Sequence, residues 1–136
     1  MRLYIYVQTR PEPQPRPRAN FGTHAVYSPH TDFYNSIVYH AYPKRPKTPL
    51  TGALRLCVRY VYRRPQTRKY EIYKTSKPDT DNLVKGLKDA LTKAKWWEDD
   101  SLVVDERQVK VWGEKDGVEI LVETLHNVKS FGDDWK

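Results

Sequence analysis

Residues 77–100 read "KPDTDNLVKGLKDALTKAKWWEDD", and the arrangement of the rest of the chain turns on them. Leu83, Leu87 and Leu91, joined by Ala90 and Ala94, recur at three- and four-residue spacing. One apolar stripe of that period predicts a helix from about Asn82 to Lys95, packed on a sheet. Lys85, Lys88 and Lys95 then point elsewhere. Asp79 and Asp81 fall at the helix N-terminus, where free N–H groups and the helix dipole stabilise negative charge. A cap needs one acceptor, and here there are two, with Asp99 and Asp100 following an aromatic pair at the other end. Either the surplus acid solubilises a helix and a turn, or the four carboxylates converge on a metal.

Reach bears on that choice. A helix of about 14 residues is about 21 Å long, whereas five extended steps from Lys95 to Asp100 cover at most ~17–18 Å. A straight return falls slightly short. A shorter helix, a lateral approach or a second subunit would close the gap. Converging carboxylates would repel one another unless protonated or neutralised by a cation. Mg²⁺ suits them, being small, hard and satisfied by a few carboxylates plus substrate phosphate. Zinc is not indicated, because His24, His30, His40 and His126 lack ligand spacing and Cys57 is alone. Lys85, four residues after Asp81, shares its side of the helix and reads either as an ordinary helix pair or as a phosphate contact.

Upstream, "ALRLCVRYVYR" (53–63) alternates Leu54, Leu56, Val58, Tyr60 and Tyr62 against Arg55, Cys57, Arg59, Val61 and Arg63, a half-buried strand. "RLYIYVQ" (2–8) is a second, with Leu3, Ile5 and Val7 on one face. "SPHTDFYNSIVYHAY" (28–42) predicts a helix with Ser28 as N-cap, Pro29 in the first turn, and a stripe of Phe33, Ile37 and Ala41 flanked by Tyr34 and Val38. Downstream, "SLVVDERQVKVWG" (101–113) and "GVEILVETL" (117–125) alternate with period two, and the intervening "GEKDG" predicts a hairpin between them. The expected architecture is one small α+β domain over residues 1–126, with four to five strands in a mixed or antiparallel sheet, two main helices on it, and a tail at 127–136.

The connections are proline-rich and basic. "TRPEPQPRPRAN" (9–20) cannot be a helix or a central strand. Arg16 and Arg18 there, and Arg64, Arg68, Lys69, Lys74 and Lys77 in "RPQTRKYEIYKTSK" (64–77), are candidates for contacting a phosphate backbone. Residues 1–77 hold 15 Lys/Arg against 3 Asp/Glu, and residues 78–136 hold 9 against 14, so +12 and −5 make the net +7. All ten tyrosines lie in the basic half. Basic charge interleaved with rings suits nucleic acid, although strand tyrosines with arginines on the outer face would show the same composition. No apolar run approaches the roughly 20 residues of a membrane span, and "MRLYIYVQTRP" alternates instead of forming a signal-peptide core. A single cysteine fits a reducing cytoplasm.

The segment "DTDNLVKGLKDALTKAKWWEDDSLVVD" closely resembles the signature of RusA-like Holliday junction resolvases. It has the Asp-x-Asp-Asn-Leu-x-Lys start, the Asp-Ala-Leu helix, and the Asp-Asp pair followed by a strand. The resemblance is dense over about 77–112 and looser elsewhere. It implies a small homodimer that resolves four-way DNA junctions by paired, Mg²⁺-dependent incision, with Mn²⁺ able to substitute, in the cytoplasm and in some cases from a prophage. The catalytic acids would be Asp79, Asp81 and Asp100, with Asp99 beside them, and the functional lysine Lys85. Leu102 stands where many members have Gln, and "PQPRPR" matches poorly, which bears on junction contacts and sequence preference. Two alternatives remain open: a junction-binding module without cleavage, and a nuclease for other branched DNA.

Overall fold

The computed structural model describes residues 1–15, 18–20, 25–27 and 30–126. Its elements are β1 (Arg2–Val7), β2 (Arg18–Asn20), β3 (Ala25–Tyr27), α1 (Asp32–Ala41), β4 (Leu54–Arg63), α2 (Thr80–Lys93), β5 (Val103–Gly113) and β6 (Gly117–Thr124). β1, β6, β4 and β5 form a four-stranded sheet in that order, and β2 and β3 form a separate antiparallel ribbon. β6 is antiparallel to β1 and β4, whereas β5 is parallel to β4. The expected small α+β domain, with a mixed sheet and two helices, is what forms. The expected tail at 127–136 lies outside the described residues.

β4 is central because its alternation is the most complete in the chain. Leu54, Leu56, Val58, Tyr60 and Tyr62 are all buried, and Arg59 and Arg63 on the other face are exposed. The register carries that face sideways through Ile5, Ile120 and Val58, and through Val7, Val118 and Tyr60. α1 contributes Phe33, Ile37 and Ala41, and α2 contributes Leu83, Leu87 and Leu91, to the same core cluster. The opposite face carries Tyr4, Cys57, Val109 and Leu121 among ion pairs such as Arg59–Glu119 and Arg2–Glu123. Cys57 is therefore half-buried on this outer face, and burial pushes its thiol pKa up.

The expected hairpin between the last two strands does not form: β4 lies between β5 and β6. The inward positions of β5 that pair with Leu56, Val58 and Tyr60 are Glu106, Gln108 and Lys110. A strand with that row cannot occupy the middle of an apolar core, so it takes the edge. β6 offers buried Val118, Ile120 and Val122 and takes an inner place. The link Glu114–Asp116 has only to cross two strand spacings, roughly 10 Å, which about four extended steps can span. Asp116 secures the crossing by accepting a hydrogen bond from the backbone N–H of Arg63 at 2.8 Å.

The first helix also starts later than its sequence suggests. Ser28 and Pro29 lie outside the described residues, and the N-cap is Thr31, whose hydroxyl accepts from the Tyr34 N–H at 3.0 Å. α2 ends in a Schellman motif, with Trp96 N–H bonded to the Leu91 carbonyl and Lys95 N–H to that of Thr92, each at 3.1 Å. Lys95 occupies the left-handed position (φ 66°) that glycine usually takes. The chain then reverses, burying Trp96 and Trp97 and pairing with Leu50, whose N–H bonds the Trp96 carbonyl at 2.9 Å.

Candidate active site

The two acidic pairs sit on different supports. Asp79 is the N-cap residue of α2 by backbone conformation, yet its side chain caps no N–H. Asp81 lies in the first helical turn, and both residues are exposed. Their carboxylates are therefore uncommitted to the helix, unlike those of a purely structural cap. Lys85 is exposed one turn further on and makes no ion pair among the described residues.

Asp99 and Asp100 open a short 3₁₀ turn, Asp100–Leu102, laid against α2. The Asp99 carboxylate accepts from the Ser101 N–H at 3.0 Å, which with a hydrogen bond from Asp100 holds its pKa below the usual value. Asp100 is pushed the other way, by burial first and then by its hydrogen bond to and charge repulsion from Asp99. The neighbouring carboxylates thus pull apart, Asp99 toward a lower and Asp100 toward a higher pKa. Lys88 draws the Asp100 pKa back down, and Asp89 pushes it further up.

Asp100 thus senses the middle of α2. Lys88 and Asp89 stand seven and eight residues after Asp81, roughly 10–12 Å along the helix axis. The short turn that carries Asp100 therefore lies against α2 near Lys88 and Asp89. Among the described residues, no three His, Cys, Asp or Glu side chains are gathered as a metal-binding group. The donor chemistry still fits a hard divalent cation, since all four candidate ligands are carboxylates flanking one helix.

Several residues not singled out in the sequence fill the ground between the pairs. Lys88 bridges to Glu106 on β5 at 2.5 Å. Asp89 accepts from the Gln14 amide at 3.1 Å, so the proline-rich loop rests on α2 beside Asp100. At Gly86 the loop comes close: a Cβ there would meet the Gln14 Cβ at 3.4 Å, room for a methyl group and little more. The signal for Glu106 and Lys110 was present: polar residues alternate on the strand face that elsewhere is apolar. Nothing in the sequence alone marked Gln14.

The candidate backbone-binding residues divide. Lys69 and Lys77 are exposed. Arg68 is exposed but pairs with Glu71 at 2.9 Å, and Arg64 is partly buried and donates to the carbonyls of Arg68 and Glu71. Lys74 is not on the surface at all: it is 8% exposed, with its ammonium turned toward the backbone ahead of Asp79. Arg16 lies outside the described residues, and Arg18 opens β2, whose backbone alone is described.

Comparison with known proteins brings these elements together. Residues 8–123 match the family model Endodeoxyribonuclease RusA, a span that contains both aspartate pairs, Lys85 and β5. A crossover junction endodeoxyribonuclease rusA of Lactococcus phage r1t is 42% identical over 67 residues, covering 49% of this chain and 51% of the phage protein. Uncharacterized protein YqaN of Bacillus subtilis (strain 168) is 37% identical over 90 residues, covering 57% of this chain and 62% of that protein. The chain thus spans about half to three-fifths of the length of these relatives. No described helix is long and apolar enough to cross a membrane. With most of its length matched and the two-helix, mixed-sheet domain in place, the chain belongs to the RusA endodeoxyribonuclease family.

Proposed function

We propose that this chain is a structure-selective endonuclease that resolves four-way DNA junctions by paired, Mg²⁺-dependent incisions. The observation that carries this reading is the family match over residues 8–123, which includes every acidic residue the chemistry requires. Asp79, Asp81 and Asp100 hold the cation, with Asp99 beside them and Mn²⁺ as a substitute. A cation bound there would supply Lewis-acid charge at the phosphodiester and acidify a nearby water. The chain's own groups do the rest. Uncapped Asp79 keeps its carboxylate oxygens available to a ligand, Asp81 stands beside it in the first helical turn, and Asp100 would complete the set. Lys85 steadies a phosphate oxygen, and the exposed Lys69 and Lys77 hold a DNA arm by displacing counterions.

Two symmetric cuts call for two sites, so the working unit is a twofold homodimer. Asp79 and Asp81 from the start of α2 and Asp100 would hold the cation together with substrate phosphate, or residues of the second copy would supply one end of the ligand set. The phage relative supports a phage or prophage setting in a cell's cytoplasm.

The test compares Asp79→Asn, Asp81→Asn and Asp100→Asn on a synthetic four-way junction, with and without Mg²⁺, against linear duplex and flap DNA. Each substitution should lower the cleavage rate by roughly 100-fold or more while junction binding persists. Undiminished Mg²⁺-dependent cleavage in these variants would remove the metal assignment. Binding without any wild-type cleavage would leave a recognition module, and equal cutting of flaps would broaden the substrate class.

A further inference from the structure

The turn leading into Asp79 is gripped by two lysines. Lys74 is 8% exposed, and its Nζ donates to the Ser76 hydroxyl at 2.7 Å, to the Lys77 carbonyl at 2.5 Å and more weakly to the Ser76 carbonyl at 3.4 Å. Lys110 Nζ, reaching across from β5, donates to the carbonyls of Ser76 and Pro78, each at 2.7 Å. The two lysines are joined by backbone, Lys74 N–H to the Lys110 carbonyl at 3.0 Å. Every carbonyl from Ser76 to Pro78, the three residues before Asp79, therefore accepts from an ammonium group.

No carboxylate pairs with either ammonium among the described residues. The surroundings of Lys74 are instead the rings of Tyr62 and Trp112, with Nζ 5.0 and 5.1 Å from their centroids. Burying a charge without a counterion is expensive, and burial, with Lys110 next, pulls the Lys74 pKa down. Closing a loop needs only a neutral donor, so a buried ammonium joined by a second one, both aimed at one tripeptide, calls for another reason. Charged donors hold carbonyls more strongly and with narrower geometry than neutral ones. The segment so held is the one that sets the direction of the Asp79 and Asp81 side chains.

We propose that Lys74 and Lys110 are positioning residues of the acidic site, clamping residues 76–78 so that Asp79 and Asp81 present their carboxylates in a fixed orientation. This rests on the reading of Asp79 and Asp81 given above. It also explains why β5 carries a lysine on its inward face: from the sheet edge, Lys110 reaches the start of α2.

The experiment uses the full chain with Lys110→Met, Lys110→Gln and Lys74→Met, and Lys110→Arg as the conservative variant. Amide hydrogen exchange of the metal-free protein is read over residues 76–83. Single-turnover junction cleavage and junction Kd are measured well below the unfolding temperature. The Met and Gln variants should exchange at least about tenfold faster there, with α1 and β4 unchanged, and cleave roughly 10- to 100-fold more slowly at unaltered Kd. Lys110→Arg should recover most of both. Faster exchange with undiminished cleavage would mean a structural role only, and slower cleavage with unchanged exchange would mean direct contact; either overturns the proposal. If Lys74→Met fails to fold, the partly exposed Lys110 variants decide alone. Failure of the underlying reading looks different: Asp79→Asn would then cleave like wild type, whatever the lysine variants do.

Discussion

The indole N–H of Trp96 donates to the carbonyl oxygen of Ala41 at 2.8 Å, with both residues fully buried. This bond joins the last residue of α1 to the turn after α2, and so fixes the start of the return path to Asp99 and Asp100. Trp96→Ala should cost about 3–5 kcal/mol of stability. Trp96→Phe, which keeps part of the ring but orphans the carbonyl, should cost about 1–3 kcal/mol. Urea unfolding at neutral pH measures both, and a loss under 1 kcal/mol for the alanine variant would show that the turn is held by other contacts.

Arg55 donates to Asp105 at 2.8 Å across the β4–β5 pair, and that hydrogen bond is the main reason the Asp105 pKa lies below its usual value. A carboxylate depressed in the folded state adds stability above its unfolded pKa, near 4, and loses it as pH falls through the folded value. Both groups keep some exposure, so the contribution is about 1 kcal/mol. Asp105→Asn should lower stability by that much at pH 7 and by little at pH 2. Equal losses at both pH values would remove the ion pair as the cause.

Gly86 lies inside α2, where glycine costs about 0.5–1 kcal/mol relative to alanine. The space above it admits a methyl group in ordinary contact with Gln14. Gly86→Ala should therefore stabilise the protein by up to about 1 kcal/mol. Gly86→Leu should instead lift the loop off the helix and break the Gln14–Asp89 bond. Limited proteolysis near residues 11–15 reports the difference: resistant in the alanine variant, cut rapidly in the leucine variant.

Thr31→Ala removes the side-chain cap of α1 and should cost about 1 kcal/mol. Thr31→Asp should restore it, because Asp accepts the same N–H from Tyr34. Thermal unfolding of the pair distinguishes a lost cap from a lost methyl contact.

Much of this fold is legible in the sequence because apolar period and burial coincide. Leu54 to Tyr62 and Leu83 to Leu91 announce their elements and their faces, and the four aspartates stand out against a basic chain. The crossing from β5 past β4 to β6 is not legible. "GEKDG" between two alternating runs is equally compatible with a hairpin, and only competition for the sheet centre decides between them. Lys74 is hidden for a different reason: a lysine in a basic loop looks solvated until Tyr62 and Trp112 close around it. Asp89 and Gln14 gain their meaning from a contact between segments far apart in the chain.

Because Asp79 and Asp81 stand at the start of α2 and the chain must complete the helix and turn back to reach Asp99 and Asp100, the length of α2 sets how the proposed ligands face one another. Inserting a single residue between Asp81 and Lys93 would rotate everything beyond it by about 100° and advance it by about 1.5 Å. The leucine stripe, the Schellman turn and the Asp99–Asp100 bend would all leave register together. The exposed stretch from Gln66 to Tyr70 carries no such constraint. Insertions and deletions among related chains should therefore collect there and spare residues 79–100, so that chain length varies beside the site while the distance across it stays constant.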